Sequence, residues 1–258
     1  MIVDGHTHVA SCDTDRYPLH PTGVGSRWFT DGFDVEVLLR TMDGAGVDQA
    51  VVVQAVGAYG FDSRYAIDAV ASAPERLALV VAADPDAPDV PAAAKAVRVF
   101  GVGATEPTWL DDDRGALLWA LAAERGIGIV PTLWARDLPQ LRPLVEAHPH
   151  VAVAIDHCGF PDPPHVPPAE LLALADLPAV HLKVSTHVLA PLADPAAFVD
   201  VLAATFGAER LCWGSDFPQT QSVAYPDMVA LARRAAALLD EPGQHAFLAG
   251  TARTLWFH

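Results

Sequence analysis

Cysteine is scarce and unpaired in this chain: Cys12, Cys158 and Cys212 form an odd, scattered set of three. They give no disulfide framework and no paired spacing for a zinc ribbon, and a reducing cytoplasm is the expected location. Basic residues are also few, 16 against 32 acidic ones, for a net charge of -16. That balance makes nucleic acid and anionic membrane surfaces poor partners. No apolar run of about 18 residues occurs, and no basic stretch followed by an apolar one opens the chain, so neither a membrane span nor a processed leader is expected. A Gly-rich phosphate turn after the first strand is missing too, which argues against a doubly wound dinucleotide fold.

What is present is an apolar chain of 258 residues, 52% hydrophobic and 19% charged, enough for one large core. Strand-length apolar runs fall near 2–8, 49–54, 77–83, 98–104, 127–133, 151–157, 180–185 and 210–216. Their nearly continuous apolar character is that of parallel strands buried on both faces. Amphipathic segments that read as helices lie between them, at 33–45, 62–73, 87–97, 112–125, 137–148, 168–176, 194–206 and 225–239, with Gly46 and Gly126 as helix stops. Eight strands alternating with eight helices over this length predict an α/β fold, a (β/α)8 TIM barrel with a parallel eight-stranded core, as a single domain over 1–258. The segment 9–32 is too long for an ordinary strand-to-helix loop and carries Arg16, Tyr17, His20, Arg27 and Trp28, so it is expected to be a lid or substrate wall.

The chemistry begins at Asp4-Gly5-His6-Thr7-His8. On a regular strand Asp4, His6 and His8 share one face, and two imidazoles there can reach one ion. Catalytic groups of such barrels sit at the C-terminal ends of strands. His157 tops the sixth strand and Asp216 the eighth, so three histidines and one carboxylate converge from segments far apart in sequence. On the seventh strand Lys183 and Ser185 share a face and are candidate substrate contacts, with His187 just beyond them. Cys158 and Cys212 should point away from the site as structural thiols.

Together Val3-Asp4-Gly5-His6-Thr7-His8-Val9, Arg16-Tyr17-Pro18, Asp156-His157-Cys158-Gly159-Phe160-Pro161, Leu182-Lys183-Val184-Ser185 and Trp213-Gly214-Ser215-Asp216-Phe217-Pro218 resemble the amidohydrolase superfamily, in its branch of small lactone hydrolases. The resemblance runs from residue 2 to about residue 220. It implies a (β/α)8 barrel whose site is His6, His8, His157 and Asp216, with Asp216 as general base. Related lactonases often carry an arginine on strand four in a Gly-x-Arg setting, where Gly103 stands here, and often Trp-Pro-His after the strand-eight aspartate, where Phe217-Pro218-Gln219 stands here. Arg16, Arg27, Arg64 and Arg136 are the loop arginines placed to compensate. A two-metal site would need a histidine on strand five, which ends Thr132-Leu133-Trp134, and Glu106 reads as a loop residue. At most one divalent ion, zinc by ligand type, is expected on His6, His8, His157 and Asp216, and a metal-free lactonase is the other reading.

The expected reaction is hydrolysis of a lactone or similar cyclic ester, with Asp216 taking a proton from water and His157, helped by His6, His8 or an ion, polarising the carbonyl. Metal-dependent non-oxidative decarboxylation of an aromatic or muconate-type acid is the alternative within the resemblance, and a catalytically inactive binding barrel the alternative outside it. The partner is a small molecule, contacted by Arg16, Tyr17, Trp28, Lys183 and His187, and Gly103 favours one bulkier or less anionic than a small dicarboxylated lactone. Homo-oligomerisation is compatible with this sequence.

Overall fold

Eight parallel strands stand side by side in the order of the sequence: β1 (Val3–Thr7), β2 (Gln49–Val53), β3 (Leu77–Ala82), β4 (Ala94–Phe100), β5 (Gly128–Thr132), β6 (Val153–Ile155), β7 (Val180–Ser185) and β8 (Leu211–Gly214). This computed structural model describes residues 1–102, 108–110, 112–162 and 165–258. Residues just past β8 join it to β1: the Asp216 amide donates to the His6 carbonyl and the His8 amide to the Phe217 carbonyl, each at 2.8 Å. The result is a nearly closed (β/α)8 barrel, as expected.

Period-two alternation sorts each strand between two cores. Ala50 and Val52 pack outward with the helix layer, while Val51 and Val53 point inward with Val3, Val80, Val130 and Cys212. The helix Thr251–Trp256 supplies Ala252 and Trp256 to that inner cluster, so the barrel interior is filled rather than open.

Most expected elements fall within a few residues of their observed bounds, with helices at Val35–Ala45, Arg64–Ser72, Asp113–Arg125, Pro195–Phe206 and Tyr225–Ala235. One unit differs. The expected helix over 87–97 is absent, and strand four begins at Ala94 rather than at 98. Pro88 and Pro91 remove backbone donors and break a helix there, and the alternation of outward Val97 and Val99 with inward Ala96 outweighs the helix propensity of the Ala92-Ala93-Ala94 run. Gly103 and Glu106 lie outside the described residues. Among the described residues no helix is long and apolar enough to cross a membrane.

Candidate active site

The pairing of β1 with β2 shifts register between Asp4 and Thr7. A bulge of this kind re-aims side chains, and it corrects the expectation that Asp4 shares a face with the two histidines. Asp4 turns to the β8 seam and the helix layer, where Oδ1 accepts from the amides of Ser215 at 2.8 Å and His6 at 3.0 Å and Oδ2 accepts from the Tyr225 hydroxyl at 2.9 Å. His6 and His8 turn inward with their Nε2 atoms 3.2 Å apart.

The ends of β6 and β8 are held in unusual backbone. His157, Cys158, Phe160 and Asp216 all have φ between 51° and 58°, a region that costs non-glycine residues about 1–3 kcal/mol and gathers at functional sites. His157 Nδ1 meets Ser185 Oγ at 2.8 Å. Asp216 Oδ1 lies 3.2 Å from His8 Nε2 and 3.7 Å from His6 Nε2, while Oδ2 accepts from Thr220 Oγ1 at 3.4 Å. Burial alone would raise the Asp216 pKa, but the His8 contact and the neighbouring His157 and His6 hold it well below the ordinary carboxylate range. Burial pushes His157 down to about 4 and, with Lys183 adding to it, drives His6 well below 6.5, so both rings are neutral at neutral pH. Burial also pushes the Cys158 and Cys212 thiols up, and neither lines the cavity.

Beneath the histidines lies a polar layer that sequence reasoning missed. Asp156 Oδ2 accepts from Arg98 Nε at 2.6 Å and from Thr132 Oγ1 at 2.8 Å; Oδ1 lies 3.0 Å from Lys183 Nζ and 3.3 Å from His6 Nδ1. The last two are contacts by distance without hydrogen-bond alignment. Burial opposes the Asp156 charge, and Arg98, Lys183 and His6 outweigh it, holding that carboxyl well below its usual range. Lys183 is wholly buried, 5.5 Å above the Trp256 ring, and does not line the cavity, which corrects its expected role in substrate contact. With β4 four residues earlier than expected, the strand-four cation at the site is Arg98, on the same inward face as Ala96. The Ala96-Val97-Arg98-Val99 alternation was the available signal.

His6 Nε2, His8 Nε2 and Asp216 Oδ1 fit a metal site. His8 Nδ1 donates to the Val53 carbonyl at 2.7 Å, so neutral His8 carries its lone pair on Nε2. His6 Nε2, His8 Nε2 and Asp216 Oδ1 stand 3.2, 3.2 and 3.7 Å apart, and with the His6 proton on Nδ1 all three would offer lone pairs to one ion. Ligands held tetrahedrally at about 2.0–2.1 Å stand about 3.3 Å apart, and three protein ligands with an open fourth position is the catalytic pattern. The ligand atoms of these three residues all lie within 4.8 Å of one another; His157 falls instead into a second group with His6 and Asp156, its ring centroid 5.0 Å from that of His6.

A cavity of about 550 Å³ opens above this floor, lined by His8, His157, Asp216, Arg98 and Thr132 below and by Trp28, Phe100, Trp134, Phe160 and His187 on its walls. Gln219, Thr220, Gln221 and Ser222 form a polar edge. The Trp28 ring stacks on that of His8, centroids 6.0 Å apart. Of the expected substrate contacts, Trp28 and His187 line the cavity. Arg16 and Tyr17 do not: the exposed Arg16 pairs with Asp68 at 2.8 Å, and the Tyr17 hydroxyl bonds the same carboxylate while its ring packs on Tyr65. His20, Arg27, Arg64 and Arg136 do not line it either.

The amidohydrolase family model matches residues 3–257. An L-fucono-1,5-lactonase from Burkholderia ambifaria is 31% identical over 211 residues, which are 72% of this chain and 69% of that one. Among solved structures, a Pseudomonas putida protein named for 2-pyrone-4,6-dicarboxylic acid hydrolysis superposes with a TM-score of 0.80 at 25% identity, over 98% of this chain and 96% of that one. A Burkholderia multivorans amidohydrolase with bound zinc superposes with a TM-score of 0.78 at 21% identity, over 99% and 98%. A 2,6-dihydroxybenzoate decarboxylase from Rhizobium shares the fold at 15% identity and a TM-score of 0.68, over 98% of each chain.

Proposed function

The chain belongs to the amidohydrolase family and is a hydrolase, and from that premise we propose that it opens the ring of an uncharged, hydroxylated lactone. The observation that carries this reading is the placement of Asp216: an ionised carboxylate at the cavity floor, beside His8 and His157, in a chain whose relative acts on a sugar lactone. Asp216 takes the proton as water adds to the carbonyl carbon, and returns it to the ring oxygen when the acyl–oxygen bond breaks, leaving a hydroxy acid.

With Ser185 Oγ donating to Nδ1, His157 presents Nε2–H to the carbonyl oxygen, where charge develops in the transition state. Arg98 adds positive charge from the floor. His6, His8 and Asp216 would hold a divalent ion such as zinc, which supplies Lewis-acid polarisation when bound. Trp28, Trp134 and Phe160 offer flat apolar walls to the ring faces, and the Gln219–Ser222 edge offers hydrogen bonds to hydroxyls.

The test is proton release, followed with a pH indicator, across 1,5- and 1,4-lactones of sugars, 2-pyrone-4,6-dicarboxylate and simple aryl esters, beside carbon dioxide release from dihydroxybenzoates. Turnover of sugar lactones in preference to the dicarboxylated pyrone is expected. Silence on every lactone, or decarboxylation alone, would remove this reading.

A further inference from the structure

Asp156 has no exposed surface and takes no part in the hydrolysis outlined above, yet four strands send polar groups to it: His6 from β1, Arg98 from β4, Thr132 from β5 and Lys183 from β7. Stability alone does not call for such a network. Well-packed apolar residues in place of buried ions are often neutral or stabilising, and the layer of Val51, Val53, Val80 and Val130 shows that this barrel packs that way elsewhere. His6 Nδ1, Lys183 Nζ and Asp156 Oδ1 have no aligned hydrogen-bond partner among the described residues. Buried polar atoms find partners, and here each has only the others within reach, at 3.0 and 3.3 Å from the carboxylate oxygen.

We propose that Asp156 is the positioning residue of the site, fixing the proton of His6 on Nδ1 so that its Nε2 lone pair faces His8 Nε2 and Asp216 Oδ1. A neutral imidazole carries one proton, and an ionised carboxylate only accepts. With Asp156 Oδ1 3.3 Å from Nδ1, the carboxylate draws the proton to Nδ1 and leaves Nε2 bare. Arg98 and Lys183 cannot replace Asp156 in this, because both are donors. They act on Asp156: Arg98 Nε and Thr132 Oγ1 hold Oδ2, so the carboxylate cannot swing away from His6. The Val53 carbonyl does the same for His8 from the opposite wall. Partners of this kind behind a metal-ligating histidine orient the ring and raise its basicity. The inference rests on His6 as a ligand and not on the lactone as substrate.

Asp156→Asn makes the sharpest prediction. Arg98 Nε–H and Thr132 Oγ1–H both point at the Oδ2 position, so the amide oxygen takes it and the amide NH₂ faces His6 Nδ1, which must then accept and leave its proton on Nε2. Because the single variant strands two buried cations, the decisive protein is Asp156→Asn with Lys183→Met, which removes one charge of each sign, beside Lys183→Met alone. Chelator-treated protein with ¹⁵N-labelled histidine is compared by long-range proton–nitrogen correlation, and zinc affinity by competition with a chromophoric chelator. The wild type and Lys183→Met are expected to show His6 protonated on Nδ1. The double variant is expected to show it protonated on Nε2, with the His8 pattern unchanged and zinc affinity lower by about 10- to 100-fold. A folded double variant that keeps the Nδ1 proton would overturn the proposal, as would wild-type zinc affinity after the tautomer has inverted. Substrate plays no part in either measurement, so an error in the substrate class would change neither result.

Discussion

A Cβ placed on Gly214 would lie 2.7 Å from the Cβ of His6 and 3.0 Å from the His6 backbone nitrogen. On the other side of the seam, a Cβ on Gly5 would lie 2.8 Å from the Trp213 carbonyl oxygen. These contacts are with backbone atoms or with the Cβ of a buried residue, so β1 and β8 approach this closely only because both positions lack a side chain, and that approach delivers Asp216 to His6 and His8. Gly214→Ala should therefore cost about 1–3 kcal/mol, the usual range for overpacking, and weaken zinc binding as the ligands separate. Urea unfolding and zinc titration check it, and an alanine variant with wild-type zinc affinity would show that the seam has slack.

The strand-end chemistry was legible because it is local: His6-Thr7-His8, His157 and Asp216 each close a strand, and the barrel rule brings strand ends together. Asp4 is misplaced by a sequence reading because a bulge leaves no mark in an alternating pattern, and one extra residue sends the side chains beyond it to the other face. Arg98 escapes it because the alanine run before it scores as helix, which puts Arg98 at the first residue of the expected strand, far from the catalytic end; pairing with β3 and β5 makes that run strand and moves Arg98 up it. Lys183 reads as a substrate contact because a lysine at a strand end ordinarily reaches solvent. Its burial follows from Asp156, whose partners come from four strands and leave no pairwise signal along the chain.

Asp216→Asn keeps the size of the side chain and removes the base. Turnover of the best lactone should fall by about 10² to 10⁴, the range of general base catalysis, with the melting temperature retained. A variant with more than a tenth of wild-type turnover would take the proton-transfer role away from Asp216.

Binding of one divalent ion by His6, His8 and Asp216 would link occupancy to stability. At free zinc about 100 times the dissociation constant the fold should gain about 2.7 kcal/mol, or a rise of about 5–10 °C in melting temperature for a chain of this size. His8→Ala should abolish the rise. If the wild type and that variant respond alike, zinc is acting elsewhere on the protein.

Ser26 ties the long loop after β1 to the segment after β8: its amide and hydroxyl donate to Gln219 Oε1 at 3.2 and 3.0 Å, and Gly25 and Gln219 both line the cavity. Neither side chain reaches the ligand cluster. Gln219→Ala should loosen this wall and raise KM roughly 3- to 10-fold, the worth of one hydrogen bond or slightly more, with kcat within about twofold of wild type. A fall in kcat at unchanged KM would mean that Gln219 acts on the chemistry rather than on the wall.

His157 stays neutral in the fold down to about pH 4, because burial opposes its charge, whereas in the unfolded chain it titrates near 6.5. Between these values the unfolded state binds the proton and the folded state does not, so stability is lost as pH falls from 6.5 towards 4, by about 3 kcal/mol for this one group. The depressed carboxyls of Asp156 and Asp216 lose their contribution only at lower pH, below the ordinary 3.8. Burial pushes Asp4 up to about 6, which works in the opposite direction over part of the window. The comparison is therefore between wild type and His157→Gln, in which every other group is shared. With chelator present, urea midpoints from pH 7 to pH 4.5 should decline less steeply in His157→Gln, by up to one proton in the linkage slope. Parallel slopes would mean that His157 takes up its proton in the folded state as readily as in the unfolded one, and a charged His157 would then have to be written into the site.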